Sequence, residues 1–161
     1  NHDYIHSLSA DGVREGVVKQ LGWEKFRGSN EYVFDLPVTN VVDLVADIKS
    51  KLGIESVRYV GDLADRCKKV LLMPGASGGR NQILSIAREK PDVVICGEIS
   101  EWETAEYVRD ARSKGDKLSL LVLGHVASEE PGSQFLAGWL REKVKGIPTT
   151  HLPAGNSLRF A

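Results

Sequence analysis

The sequence predicts an α/β (α+β) domain, a mixed β-sheet flanked by helices. Two observations lead there. Short apolar runs, such as Val93 to Cys96 and Leu118 to Leu123, lack any 3.6-residue gap and read as buried strands. Between them lie segments with apolar residues at helical spacing, bounded by Gly and Pro. Strands alternating with helices imply a sheet with helices packed on it.

The elements follow in order. Ser9 is placed to cap a first helix, with Asp11 in its first turn and a stripe of Val13, Val17, Val18 and Leu21 ending at Gly22. Trp23 to Asn30 reads as a polar connector. Tyr32 to Leu36 reads as a strand that Pro37 breaks. Thr39 or Asn40 caps the next helix, whose Val41, Leu44, Val45, Ile48 and Leu52 fall at i, i+3, i+4, i+7 and i+11, with Gly53 as the stop. Ser56 to Val60 is a strand, Gly61 to Lys69 a polar turn, and Val70 to Met73 a strand. Pro74 to Gly79 leads into a helix carrying Ile83, Ile86 and Ala87, closed by Pro91-Asp92. Val93 to Cys96 ends at Gly97-Glu98, and a helix with Trp102, Ala105, Val108 and Ala111 follows. Leu118 to Leu123 is a strand. Pro131 marks the first turn of a last helix carrying Phe135, Leu136, Trp139, Leu140 and Val144 as far as Gly146. Thr149 to Leu152 reads as a final strand. Trp102, Trp139 and Phe135 are assigned to the core and His151 to a surface strand.

The 161 residues suffice for one domain with a real core, so residues 1–161 are expected to form a single unit. Hydrophobic residues at 42% and charged residues at 27% are ordinary for a globular protein. A net charge of -1 gives no broad attraction to nucleic acid or anionic membrane. No apolar stretch approaches the roughly 20 residues of a membrane span. Cys67 and Cys96 lack metal-ligand spacing and read as buried free thiols, which points to a reducing, cytoplasmic setting. The chain opens on Asn1-His2 without methionine and reaches chemistry-bearing residues at once, which suggests a fragment.

The chemistry concentrates in Gly124-His125-Val126-Ala127-Ser128-Glu129-Glu130-Pro131-Gly132. His125 lies just off the carboxyl end of a strand, where open α/β sheets bind ligands. An imidazole and a carboxylate four residues apart can converge on a divalent cation. The same pattern also suits a first-turn acid beside a hydrogen-bonded histidine, and either Glu129 or Glu130 can face inward. Glu98, at a neighbouring strand end, suits a general base, a residue that orients a ligand, or a helix cap. His2 and His6, spaced i, i+4, fit loose terminal imidazoles or metal ligands. Gly75 to Arg80 fits a tight turn, or an anion-contacting loop with Arg80 as support.

Taken together these residues resemble the Nif-three-like family (Ngg-one-interacting factor three). Its members are also called dinuclear metal-centre hexameric proteins and homologues of type 2 GTP cyclohydrolase I. The resemblance rests on the Gly124–Gly132 signature and on Gly97-Glu98, and runs roughly from Tyr32 to Phe160. It implies that His125 and Glu129 are metal ligands. His6 takes the place of the aspartate in the family's central His-x-x-x-Asp pattern, here His2-Asp3-Tyr4-Ile5-His6. The family's adjacent His-His pair is absent, which assigns it to an upstream segment of the Nif-three-like fold, and Glu101-Trp102-Glu103 stands where the family often has histidines.

The resemblance implies a metal-dependent hydrolase acting on a nucleotide or related small molecule through a mono- or dinuclear centre of zinc, iron or manganese. Glu98 would move the proton. It also implies a homo-oligomer, a hexamer in this family. The alternatives are a non-enzymatic metal-binding regulatory or scaffold module, and an anion sensor built on Gly75 to Arg80.

Overall fold

A computed structural model describes residue 6 and residues 11–158. Helix α1 is Gly12–Leu21. Strand β1 is Val33–Asn40, helix α2 Val41–Leu52, β2 Arg58–Val60 and β3 Arg66–Met73. Helix α3 is Gly79–Glu89 and β4 is Val93–Cys96. A π-helical turn, Glu101–Ala105, leads into α4, Glu106–Ser113. Strand β5 is Ser119–Val122 and α5 is His125–Lys143.

The five strands form one mixed sheet in the order β1-β3-β4-β5-β2. The three central strands are parallel, and β1 and β2 pair antiparallel along its two margins. Alternate residues of β3, β4 and β5 feed two cores. Leu72, Ile95 and Leu121 pack with Val17, Leu21 and Leu44 on one face. Leu71, Val94 and Leu120 pack with Ile86 and Val108 on the other. Because β3, β4 and β5 run the same way, their carboxyl ends open onto one edge, where Pro74, Gly97 and Gly124 begin three successive loops.

The mixed sheet flanked by helices is as the sequence predicts, and several local expectations are corrected. Ser9 lies outside the described residues, and the cap of α1 is Asp11, whose Oδ1 accepts from the Val13 N–H at 2.9 Å. The connector after α1 is not wholly polar. Trp23 is buried, its ring centroid 5.8 Å from that of Phe34. Pro37 does not end β1. It lies in a register shift between Asp35 and Thr39, and a marginal strand tolerates both a bulge and a missing donor. Asn40 precedes α2 without a side-chain cap, because the Val41 and Val42 N–H groups donate to the Asp65 and Leu63 carbonyls instead. Trp102 is 77% exposed, since it sits in the π-helical turn on the solvent side of its segment. No strand forms at Thr149 to Leu152.

The largest correction concerns α5. It starts at His125, directly after Gly124, and Pro131 lies inside it. Proline has no N–H, so the Ala127 carbonyl loses its helical donor there. The segment stays helical because it is pressed onto α1. A Cβ on Gly16 would overlap the Pro131 carbonyl, and one on Gly132 would overlap the backbone of Val13. These two glycines let the helices touch backbone to backbone.

Candidate metal site

The chain order brings Glu98 and His125 together. β4 and β5 are adjacent and parallel, so the loops leaving them are neighbours, and the Gly124 N–H donates to the Gly97 carbonyl at 2.9 Å. His125 Nδ1 lies 3.1 Å from Glu98 Oε2, and Nε2 lies 3.0 Å from Glu129 Oε2. The second contact follows from helical spacing. His125 and Glu129 are i and i+4 on α5 and share one face, rather than meeting across a turn. Glu130 points elsewhere, pairing with His151 Nε2 at 2.5 Å, and His151 is largely buried rather than a surface strand residue.

A buried hydroxyl fixes the third loop to this pair. The Gly75 N–H donates to Ser128 Oγ at 2.9 Å, and that hydroxyl donates to the His125 carbonyl at 2.8 Å. Gly75 has φ 65°, and any Cβ there would overlap the Glu129 carboxylate. Glycine is required at that point for both reasons. Behind Glu98, fully buried Gln82 donates to the Glu98 carbonyl at 2.9 Å and accepts from the Thr104 hydroxyl at 2.6 Å. Ser128 stands within the Gly124–Gly132 signature without its role being legible there, and Gln82 and Thr104 carry no sequence signal of their own. They read as helix polar residues until the fold buries them.

The protonation chemistry is constrained. A neutral imidazole carries one N–H, yet both ring nitrogens of His125 face a carboxylate. Desolvation alone would lower its pKa. The Glu98 hydrogen bond and the charges of Glu129 and Glu98 outweigh that, so the net shift is upward. Positive charge between Nε2 and Glu129 resolves the conflict, whether a second proton or a cation. Two ligands bound side by side at about 2.1 Å in octahedral geometry lie about 3.0 Å apart. The 3.0 Å between Nε2 and Oε2 is the length of an ordinary hydrogen bond and is also compatible with that bite, so the pair could close on either a proton or a divalent ion.

Glu98 lies against the opposite ring nitrogen and cannot share that ion through the same imidazole. Its position is that of a carboxylate that orients a metal-bound histidine. Among the described residues, no three His, Cys, Asp or Glu side chains gather closely enough to hold an ion.

His6 lies across a cleft of about 360 Å³ that also holds Asp11, Arg14, His125 and Glu129. Its Nδ1 is 3.1 Å from both carboxylate oxygens of Asp11. His2 lies outside the described residues. Arg80 does not line this cleft. Ala76 and Ser77 from the same loop do.

A profile of the family described as Duf34/NIF3 (NGG1p interacting factor 3) matches residues 7–154. A GTP cyclohydrolase 1 type 2 homolog from Clostridium perfringens is 32% identical over 91 residues, 56% of this chain and 32% of that protein. One from Staphylococcus aureus is 29% identical over 106 residues, 63% of this chain and 27% of that protein. The chain thus spans about a third or less of the length of these curated relatives. Among solved structures, the protein ybgI superposes with a TM-score of 0.72 at 24% identity, over 93% of this chain and 58% of that one. A Bacillus cereus protein related to NIF3 gives 0.64 at 21% identity, over 80% and 35%. At these identities the superpositions speak to the fold alone.

Proposed function

Because the chain belongs to the Duf34/NIF3 (NGG1p interacting factor 3) family, we propose that it forms part of a metal-dependent hydrolase acting on a nucleotide or related small molecule. Residues 1–161 form one unit of it. The observation that carries this reading is His125 held between two carboxylates, with Nε2 and Glu129 Oε2 spaced as two ligands of one ion. His125 Nε2 and Glu129 would hold a divalent cation (zinc, iron or manganese), with His6 lining the same cleft as a further ligand. The cation would supply an acidified water and a Lewis acid.

The chain's own residues do the rest. Glu98 accepts a hydrogen bond from His125 Nδ1–H, which fixes the tautomer and turns Nε2 toward Glu129, where its lone pair would meet a cation. Ser128 ties the His125 carbonyl to the Gly75 loop, so the imidazole and Glu129 turn as one body. Glu98 is half exposed, so it can also pass a proton to solvent.

A homo-oligomer, a hexamer by family resemblance, is part of the proposal. Strand β2 is a three-residue margin of the sheet that no further strand pairs among the described residues, and its Tyr59 and the neighbouring Trp102 are 50% and 77% exposed. Such apolar exposure along an open edge suits contact with another subunit.

The test is metal content. Glu129→Gln and His125→Ala should each lower bound zinc, iron or manganese at least tenfold by elemental analysis, with the fold intact by circular dichroism. Unchanged content rejects the site. Turnover of nucleotides and phosphoesters by the metal-loaded protein separates a hydrolase from a metal-holding regulatory module.

A further inference from the structure

The cleft has a second wall that the metal reading does not use. Arg14 is only 1% exposed, so a full positive charge is buried beside His125 and Glu129. Its Nη2 donates to Glu31 Oε2 at 2.5 Å, and its guanidinium carbon sits 4.3 Å from the Tyr32 ring centroid. Glu31 is itself about half exposed. Arg14 Nε is buried and has no acceptor. Buried guanidinium groups normally have their donors satisfied, and a rim carboxylate serves only part of this fork.

Ser77, from the loop after β3, lines the same cleft. Its Oγ accepts from Gln82 Nε2 at 3.1 Å, which leaves the hydroxyl proton available to a ligand. The carboxylates on the cleft are already engaged. Asp11 caps α1 and contacts His6, and Glu129 contacts His125. The nearby end of α3 is not the anchor, because the Glu103 carboxylate packs against Gly79 there.

We propose that Arg14 and Ser77 form an oxyanion subsite that receives the phosphate group of a phosphorylated small molecule and presents the rest of it to the His125–Glu129 pair. This deepens the metal-hydrolase reading and rests on it for what happens beside the subsite. A phosphate suits the arrangement because its several terminal oxygens can meet a guanidinium fork and a hydroxyl from two different segments at once, which a carboxylate's two oxygens do less well. Glu31 acts as a competing internal anion that the ligand displaces from Arg14.

The experiment is titration of the purified, chelator-treated protein with inorganic phosphate, followed by calorimetry, with acetate as the comparison anion. Saturable phosphate binding is expected, at least tenfold tighter than acetate. Arg14→Gln should weaken it at least tenfold, Ser77→Ala several-fold, and Glu31→Gln should tighten it several-fold. Should Arg14→Gln fail to fold, the exposed-side variants decide alone: phosphate affinity unchanged in both Ser77→Ala and Glu31→Gln overturns the proposal. No phosphate binding, or acetate bound equally well, also overturns it. Metal uptake on reloading the same variants with zinc, iron or manganese keeps the two readings apart. Normal metal uptake with no phosphate binding rejects the subsite and leaves the metal site standing, whereas Glu129→Gln should lose metal and keep phosphate.

Discussion

His125 is one imidazole between two acids, and most of the site's behaviour follows from that. In metal-free protein the ring is more basic than an ordinary histidine. Its folded pKa lies above its unfolded one, so the stability it contributes is full below the unfolded value near pH 6.5 and is lost as pH rises through the raised folded value. Thermal melts of chelated protein should therefore show a loss of stability as pH rises above about 6.5 that His125→Gln removes. An identical loss in that variant would reject the assignment.

Glu98 should matter for metal although it touches none. Glu98→Gln is expected to weaken metal binding about 10–100-fold, the usual effect of losing a carboxylate that orients a metal-bound histidine. The two thiols behave oppositely to reactive cysteines. Burial, aided by Asp92, raises Cys67 to about 11, and burial raises Cys96 to about 12. Both should resist a thiol reagent at pH 8 until the protein unfolds. Stability should fall between the ordinary thiol value of 9.0 and these raised ones, because only the unfolded chain ionises there.

At this scale the nearness of His125 and Glu129 was legible because a four-residue separation is local, although the sequence suggested a turn between them where the structure has one helix face. The sequence was silent on Arg14, which reads as the solvent side of an amphipathic helix until Glu31 and Tyr32 close over it.

Among the elements, α5 is the one whose sequence misleads. Pro131 signals a beginning, yet Gly124 ends β5 so abruptly that helix starts at once, and the proline is carried in its interior. What holds it is the contact with α1 at Gly16 and Gly132. Gly16→Ala should cost about 1–3 kcal/mol, the range for overpacking a filled interface. For a chain this size each kcal/mol lowers Tm by about 2–4 °C. A melting temperature equal to wild type would show that the helices have room to part. The strongly periodic α2 and the unbroken apolar β4 and β5 were legible. The marginal strands β1 and β2 were legible in part, but the run of β1 past Pro37 and the exposure of Trp102 were not, because β1 draws its pairing from a distant strand and Trp102 lies in a π-helical turn.

In the whole molecule, the mixed sheet gathers the chemistry at one edge through three parallel strands in sequence register. That much was legible from strand–helix alternation. The placement of two antiparallel strands at the margins was not, since nothing local distinguishes an edge from a centre. Among the described residues no helix is long and apolar enough to cross a membrane.

The helix contact at Gly16 has one more consequence. Glu98, His125 and Glu129 come from one continuous stretch of strand–helix units, whereas Asp11 and Arg14 arrive from the start of the chain and are joined to it through that glycine seam. Closing so long a loop is the late, entropically expensive step of assembly. An opening confined to that seam would part Arg14 from the imidazole while leaving the contacts of His125 with Glu98 and Glu129 in place.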